Sequence, residues 1–205
     1  VFLPQRPYER GVAYAPGFQL PRVLQWNAGV EMPVVNRLVA TANFVSAAGD
    51  GLMRREWLNR PNVDFRGVEV LTNGAFSRYR AVQAQVRSRT GGEFQYQLSY
   101  TLAQSTDNAS RDSELYAYND LAARAADVGP SAFDIRRSWH AMASWDPKRA
   151  RIKGWGLDFV LRSRTAFPLN VLSGADPVQI NNMTYVLRPD VVAGQPFWLD
   201  DPAAP

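Results

Sequence analysis

Phe94-Gln95-Tyr96-Gln97-Leu98-Ser99-Tyr100-Thr101-Leu102 alternates strictly between large apolar and polar side chains. In an extended chain, residues i, i+2 and i+4 share one face. Phe94, Tyr96, Leu98, Tyr100 and Leu102 therefore form a greasy side, and Gln95, Gln97, Ser99 and Thr101 a polar one. A helix with this spacing would scatter its apolar residues around the axis. The stretch reads as a two-sided ribbon about nine residues long, which is what a tilted strand needs to cross a bilayer.

The same period recurs outward from this ribbon. Val82, Ala84 and Val86 alternate with Ala81, Gln83, Gln85 and Arg87. Trp139, Ala141, Ala143 and Trp145 alternate with Ser138, His140, Met142 and Ser144. Trp155, Leu157, Phe159 and Leu161 alternate with Gly156, Asp158, Val160 and Arg162. Two weaker ribbons come earlier, around Trp26–Met32 and Leu38–Val45. The reading is an all-β antiparallel meander of about six long strands, each about nine to eleven residues. Ordinary globular strands are about half that length.

The connections alternate in length. Short ones are expected at Pro33–Asn36, at Thr90-Gly91-Gly92 and at Asp146-Pro147-Lys148-Arg149. Long ones are expected over residues 47–77, 105–135 and 165 onward. Membrane barrels carry short turns on the periplasmic side and long loops outside. A soluble β-sandwich also alternates faces, but compact domains rarely hold several loops of this length. Phe94, Trp145 and Trp155 stand at the short-turn ends, as an interfacial aromatic girdle would.

Composition excludes several classes. The net charge of +4, from 23 basic and 19 acidic residues, is spread along the chain and makes no nucleic-acid footprint. Cysteine is absent, so disulfides and thiolate metal sites are excluded. No run of about 18 apolar residues suggests a transmembrane helix. The start, Val1-Phe2-Leu3-Pro4, does not resemble a signal peptide. Residues 1–205 are accordingly expected to be one partial barrel domain, a fragment.

Five pieces in order resemble Oar-like TonB-dependent receptors, over roughly residues 22 to 200. They are Gln25-Trp26-Asn27-Ala28-Gly29-Val30-Glu31, Asn73-Gly74 with Ser77 to Gln83, Phe94 to Asp107, Phe133-Asp134-Ile135-Arg136-Arg137, and Arg188-Pro189-Asp190. Three positions depart from the pattern. Arg137 stands where the family usually has His, Gln104 where Lys is common, and Asp146–Arg149 replaces a glycine-rich turn. The resemblance implies an arc of a transmembrane barrel of about 22 strands, within the range of such barrels. It also implies a plug domain and the TonB system as partners of the full-length protein, placed in the bacterial outer membrane. The plug, amino-terminal domain and final strands of that family fall outside these residues.

Face and charge assign the side chains. An Arg or Lys on the lipid side costs roughly 2–4 kcal/mol at the midplane. Asp158, Arg162 and Arg164 all lie opposite Trp155, Leu157, Phe159 and Leu161, so the charges are expected to face the lumen. Lumen-facing candidates are Gln83, Gln85, Gln95, Gln97, His140, Asp158 and Arg162. Lipid-facing candidates are Phe94, Tyr96, Leu98, Tyr100, Trp145, Trp155, Leu157 and Phe159. Outer-membrane lipid and lipopolysaccharide are the expected surroundings.

Other groupings favour plain roles. Asp107, Asp112 and Glu114, with Asn108 and Ser110, read as a solvated outer loop, and Asp176, Asp190, Asp200 and Asp201 likewise. Arg54, Arg55 and Arg60 with Trp57 read as a basic patch that a lipid phosphate could meet. Gly49-Asp50-Gly51 reads as a turn. Asp134 and Arg136 are expected to pair where loop meets strand. His140 stands alone as the single histidine, so no metal site, cofactor or catalytic set is expected. The functional expectation is a section of an energised uptake channel. The alternatives are a structural or adhesion barrel acting through its outer loops, and a soluble β-rich binding domain.

Overall fold

A computed structural model describes residues 6–35, 38–88, 92–110, 116–117, 124–125, 127–147, 154–169, 178–180 and 183–185. The chain divides into two units, Val1–Pro168 and Leu169–Pro205. In the second, two short strands, β10 (Val178–Ile180) and β11 (Met183–Tyr185), pair antiparallel.

The first unit is built on one antiparallel meander. Its strands are β2 (Arg22–Val35), β3 (Leu38–Asn62), β4 (Phe65–Ser88), β5 (Phe94–Asp107), β8 (Arg137–Trp145) and β9 (Leu157–Arg164). They pair in the order β2-β3-β4-β5-β8-β9, so every neighbour in sequence is a neighbour in space. These are the six expected ribbons. Among the described residues the sheet is an open arc, with β2 and β9 at its edges. Among the described residues no helix is long and apolar enough to cross a membrane.

The segment 47–77 corrects the sequence reading. It is not a long loop: β3 and β4 run on through it for 25 and 24 residues, to a tip between Asn62 and Phe65. Across this hairpin Arg55 pairs with Glu69. Register shifts between Gly49 and Leu52, and between Leu52 and Arg54, mark where the hairpin leaves the even ladder. Gly51 there has φ +61°, a left-handed conformation glycine adopts without strain. Asn73 braces the spot by donating to the Gly51 carbonyl at 2.7 Å and the Gln19 carbonyl at 2.8 Å.

Two further strands extend the hairpin sideways. β1 (Gly11–Tyr14) lies parallel to β4 at Val68–Leu71, and β6 (Tyr116–Ala117) lies parallel to β3 at Glu56–Trp57. A last piece, β7 (Gly129–Pro130), pairs with the end of β5. The result is a small sheet in the order β6-β3-β4-β1, a cap beyond the even ladder. These short parallel strands carry too few residues to show a period.

Much of the buried interior of the described residues sits in this cap and at the junction below it. Arg54, Glu56, Trp57, Glu69, Val70, Thr72 and Ala75 are buried there. Glu56 has no exposed surface, and Arg124 grips it bidentately, with two nitrogens each 2.8 Å from a carboxylate oxygen. Arg54 adds Nε at 3.4 Å from Glu56 and donates to Asp127 at 2.6 Å. The long β5–β8 connection is thereby latched to the hairpin by charge. In contrast β2 and β9 are exposed along their whole length.

Removing one partner of a buried ion network leaves an uncompensated charge, at a cost of about 3–5 kcal/mol. Glu56→Ala is therefore expected to loosen the cap while the rest of the sheet persists. Amide hydrogen exchange should accelerate at residues 54–57 and 69–72 but not at residues 80–86. Unchanged exchange in the cap would remove this network from the account.

Candidate functional site

The ladder decides which side chains meet. Gln83 lies opposite Thr101, and Gln85 opposite Ser99. Ser99 lies opposite His140, and His140 opposite Arg162. Gln95 faces Ser144, which faces Asp158; Gln97 faces Met142, which faces Val160. Cross-strand partners share a face. The register thus brings Gln83, Gln85, Gln95, Gln97, His140, Asp158 and Arg162 onto one side of the sheet.

Several residues not singled out from the sequence join them. Glu31 lies opposite Thr41, Asn43 opposite Gln83, and Arg87 opposite Gln97. They share the parity of the chosen glutamines, so the same alternation could have found them. Arg87 reaches across β3 to Glu31 at 3.3 Å, and Thr41 donates to Glu31 at 3.3 Å. Gln85 donates to the Ser99 hydroxyl at 3.2 Å. Gly29 makes room for Asn43: a Cβ at Gly29 would lie 1.8 Å from the Asn43 Oδ1.

Phe94, Tyr96, Leu98, Tyr100, Trp145, Leu157 and Phe159 share the opposite side, with Phe94 facing Trp145 and Trp145 facing Leu157. Trp155 stands outside the ladder, two residues before β9. Tyr100 and Trp139 stack on this side with ring centroids 4.1 Å apart, and Trp26 meets Phe44 at 5.1 Å.

Hollows open on the polar side. One of about 600 Å³ is lined by Tyr79, Thr101, Ser105, Asp134, His140 and Arg162, among others. Another of about 320 Å³ lies toward Gln95, Gln97, Ser144 and Asp158. The first is roofed by the segment that leads into β8. Ser131 donates its amide to the Ser105 carbonyl at 3.0 Å, and Ser105 donates its own amide to the Asp134 carboxylate at 2.7 Å. Asp134 also pairs with Arg136 at 2.6 Å, as expected from the sequence. The wall of this hollow carries the cations Arg162 and Arg164 and the carboxylate of Asp134. Arg162 forms no ion pair among the described residues, and Arg164 lies 4.8 Å above the Phe167 ring.

Two sequence readings are corrected here. Asp107 and Asn108 are buried, not solvated. Asp107 accepts from the Ser110 hydroxyl at 2.6 Å, and Asn108 bridges the Phe76 amide and the Gly74 carbonyl. The basic patch does not present itself as a set: Arg54 and Trp57 are buried, and Arg55 is bound to Glu69. Asp112, Glu114, Asp176, Asp190, Asp200 and Asp201 lie outside the described residues, as do Asn36, Thr90, Gly91, Lys148 and Arg149. Among the described residues no group of three or more His, Asp or Glu is arranged to hold a metal ion.

Comparison with known proteins agrees with this geometry. A family model described as an outer membrane beta barrel domain matches residues 3–203. No curated protein matches the chain. Among solved structures, the outer membrane transporter YddB from Escherichia coli is similar, with a TM-score of 0.60 at 10% identity. The match covers 83% of this chain and 24% of that one, so the chain spans about a quarter of the transporter's length.

Glu69 is 4% exposed and held by Arg55 and Arg10. The hydrogen bond from Arg55, aided by Arg10, brings its carboxyl below the ordinary glutamate value, against the opposing effect of burial. A depressed carboxylate stabilises the fold above its unfolded value, and that stability disappears as pH falls through the folded one. Protection factors at residues 55–57 and 68–70, taken relative to the intrinsic exchange rate at each pH, should therefore fall on acidification, and Glu69→Gln should flatten the dependence. On the polar side, Gln85→Cys and Thr101→Cys in the membrane-inserted protein should react with a water-soluble maleimide. Leu98→Cys and Phe159→Cys should not; equal labelling of both pairs would refute the partition of faces.

Proposed function

The chain belongs to the outer membrane beta barrel domain family, and on that premise we propose that it forms part of the wall of a plugged channel for energised, TonB-driven uptake. Its place in the bacterial outer membrane follows from the family. The observation that carries the proposal is the partition of the ladder into a polar face that bears charges along its length and an apolar face whose charges lie only toward the cap.

On the apolar side, β5 climbs from Phe94 to Leu102 through Tyr96, Leu98 and Tyr100. That is about 27 Å along the strand, or roughly 20 Å along the membrane normal at the usual barrel tilt. An apolar band of about 25 Å is expected of an outer-membrane wall. Phe94, Trp145 and Leu157 mark one margin, and Trp26, Tyr100 and Trp139 lie toward the other. On the polar side, Gln83, Gln85, Gln95, Gln97, His140, Asp158 and Arg162 line the lumen. Such a lining suits the polar surface of a plug and the water around it. The resemblance to Oar-like receptors supplies the plug and the TonB coupling.

The test compares cells with and without the full-length protein, each with TonB intact or deleted. The transport reading expects at least one medium component whose depletion requires both. Depletion that never depends on the pair would reject transport and favour adhesion through the cap and its loops, measured as surface attachment.

A further inference from the structure

Arginine is distributed on the apolar side in a way the wall alone does not require. Between the two ends of the ladder this side carries no charge. At the end nearer the cap it carries Arg22, Asp50, Arg78, Arg80 and Arg137. Arg80 lies opposite Ser46 on β3 and Gln104 on β5; Arg137 lies opposite Leu102. Both are exposed. Their Cα atoms are two strands and one pair-step apart, about 12 Å by strand geometry.

These two differ from most of their neighbours. Arg78, one step farther out, is neutralised by Asp50, and Arg87 on the other side by Glu31. Arg136 is held by Asp134. Among the described residues, neither the Arg80 nor the Arg137 guanidinium has an ion pair or a side-chain hydrogen bond. Val82 lies one same-face step from Arg80 and Trp139 one from Arg137, while Trp26 is level with Arg80 and Leu102 level with Arg137; all four are 43–50% exposed. A guanidinium just above an apolar band matches an amphiphile with an anionic head and hydrocarbon tails. Its planar fork suits phosphate oxygens in particular.

We propose that Arg80 and Arg137 form a binding site for the phosphate groups of an outer-leaflet lipid, lipopolysaccharide, whose acyl chains lie over Val82, Leu102 and Trp139. Free phosphate would use the arginines but leave the apolar ledge uncovered, so both parts of the site point to the lipid. The inference rests on the membrane-wall reading and names the partner of its outer rim.

Full-length protein, purified as a folded barrel in detergent, is titrated with lipid A carrying its phosphates and with lipid A stripped of them. Native mass spectrometry reads the bound lipid. Each basic group near an anionic lipid contributes enough for about a fivefold change in affinity. Arg80→Gln and Arg137→Gln should therefore each weaken binding about fivefold, and the pair about thirtyfold. Stripping the phosphates should weaken the wild type comparably and the double variant little further. Inorganic phosphate alone should not compete at equal concentration. A double variant with normal heat-modifiable mobility that binds like the wild type would overturn the site, as would wild-type indifference to the phosphates. Competition by inorganic phosphate would overturn its assignment to a lipid. A full-length protein that fails to enter the outer membrane would instead overturn the wall reading beneath it.

Discussion

A charged side chain aimed at hydrocarbon costs roughly 2–4 kcal/mol at mid-bilayer and much less near the interface. The backbone has a parallel constraint, because no water is available there to replace a missing ladder bond. The register of β3, β4, β5, β8 and β9 meets both. Asp158, Arg162, His140, Gln97, Gln85 and Gln83 fall on one side while Leu157, Phe159, Leu161, Leu98, Tyr100 and Val82 fall on the other. A slip of one residue in β9 alone would turn Asp158, Arg162 and Arg164 to the apolar side together. Register is therefore strongly specified, although the strands bury little against one another.

The placement of the buried residues follows from the same constraint. A single sheet needs a second layer to make a core, and in a membrane wall lipid on one side serves in that place. Burial inside the protein is then available where the hairpin rises past the band. There β1, β6 and the β5–β8 connection supply the missing neighbours, and Arg54, Glu56, Trp57 and Glu69 become enclosed. Enclosing charges is costly unless they are paired. Arg124, Asp127, Arg55 and Arg10 do the pairing, and so join four separated parts of the chain at one place.

Aromatic side chains show how much local pattern can reveal. Phe94 and Trp145 stand out beside short turns, and the ladder pairs them directly. Trp26, Tyr100 and Trp139 mark the far side of the apolar band. They are less obvious in sequence because nothing local says at what height each strand stands relative to the next. That height is a property of register.

The sequence by itself determined the six meander strands and their two faces. Alternation in Phe94–Leu102 and its counterparts identifies strand and side, because side-chain direction in a strand depends only on parity. The pairing of Asp134 with Arg136 was also legible, since the two are close in sequence. Only the tertiary structure decided what the charged residues of 47–77 and 105–135 do. The partners of Arg54 and Glu56 are not legible in sequence because they are far along the chain: Arg124 lies 68 residues from Glu56, and Asp127 lies 73 from Arg54. Parity is local, whereas ion pairing and burial depend on which distant segments fold against each other.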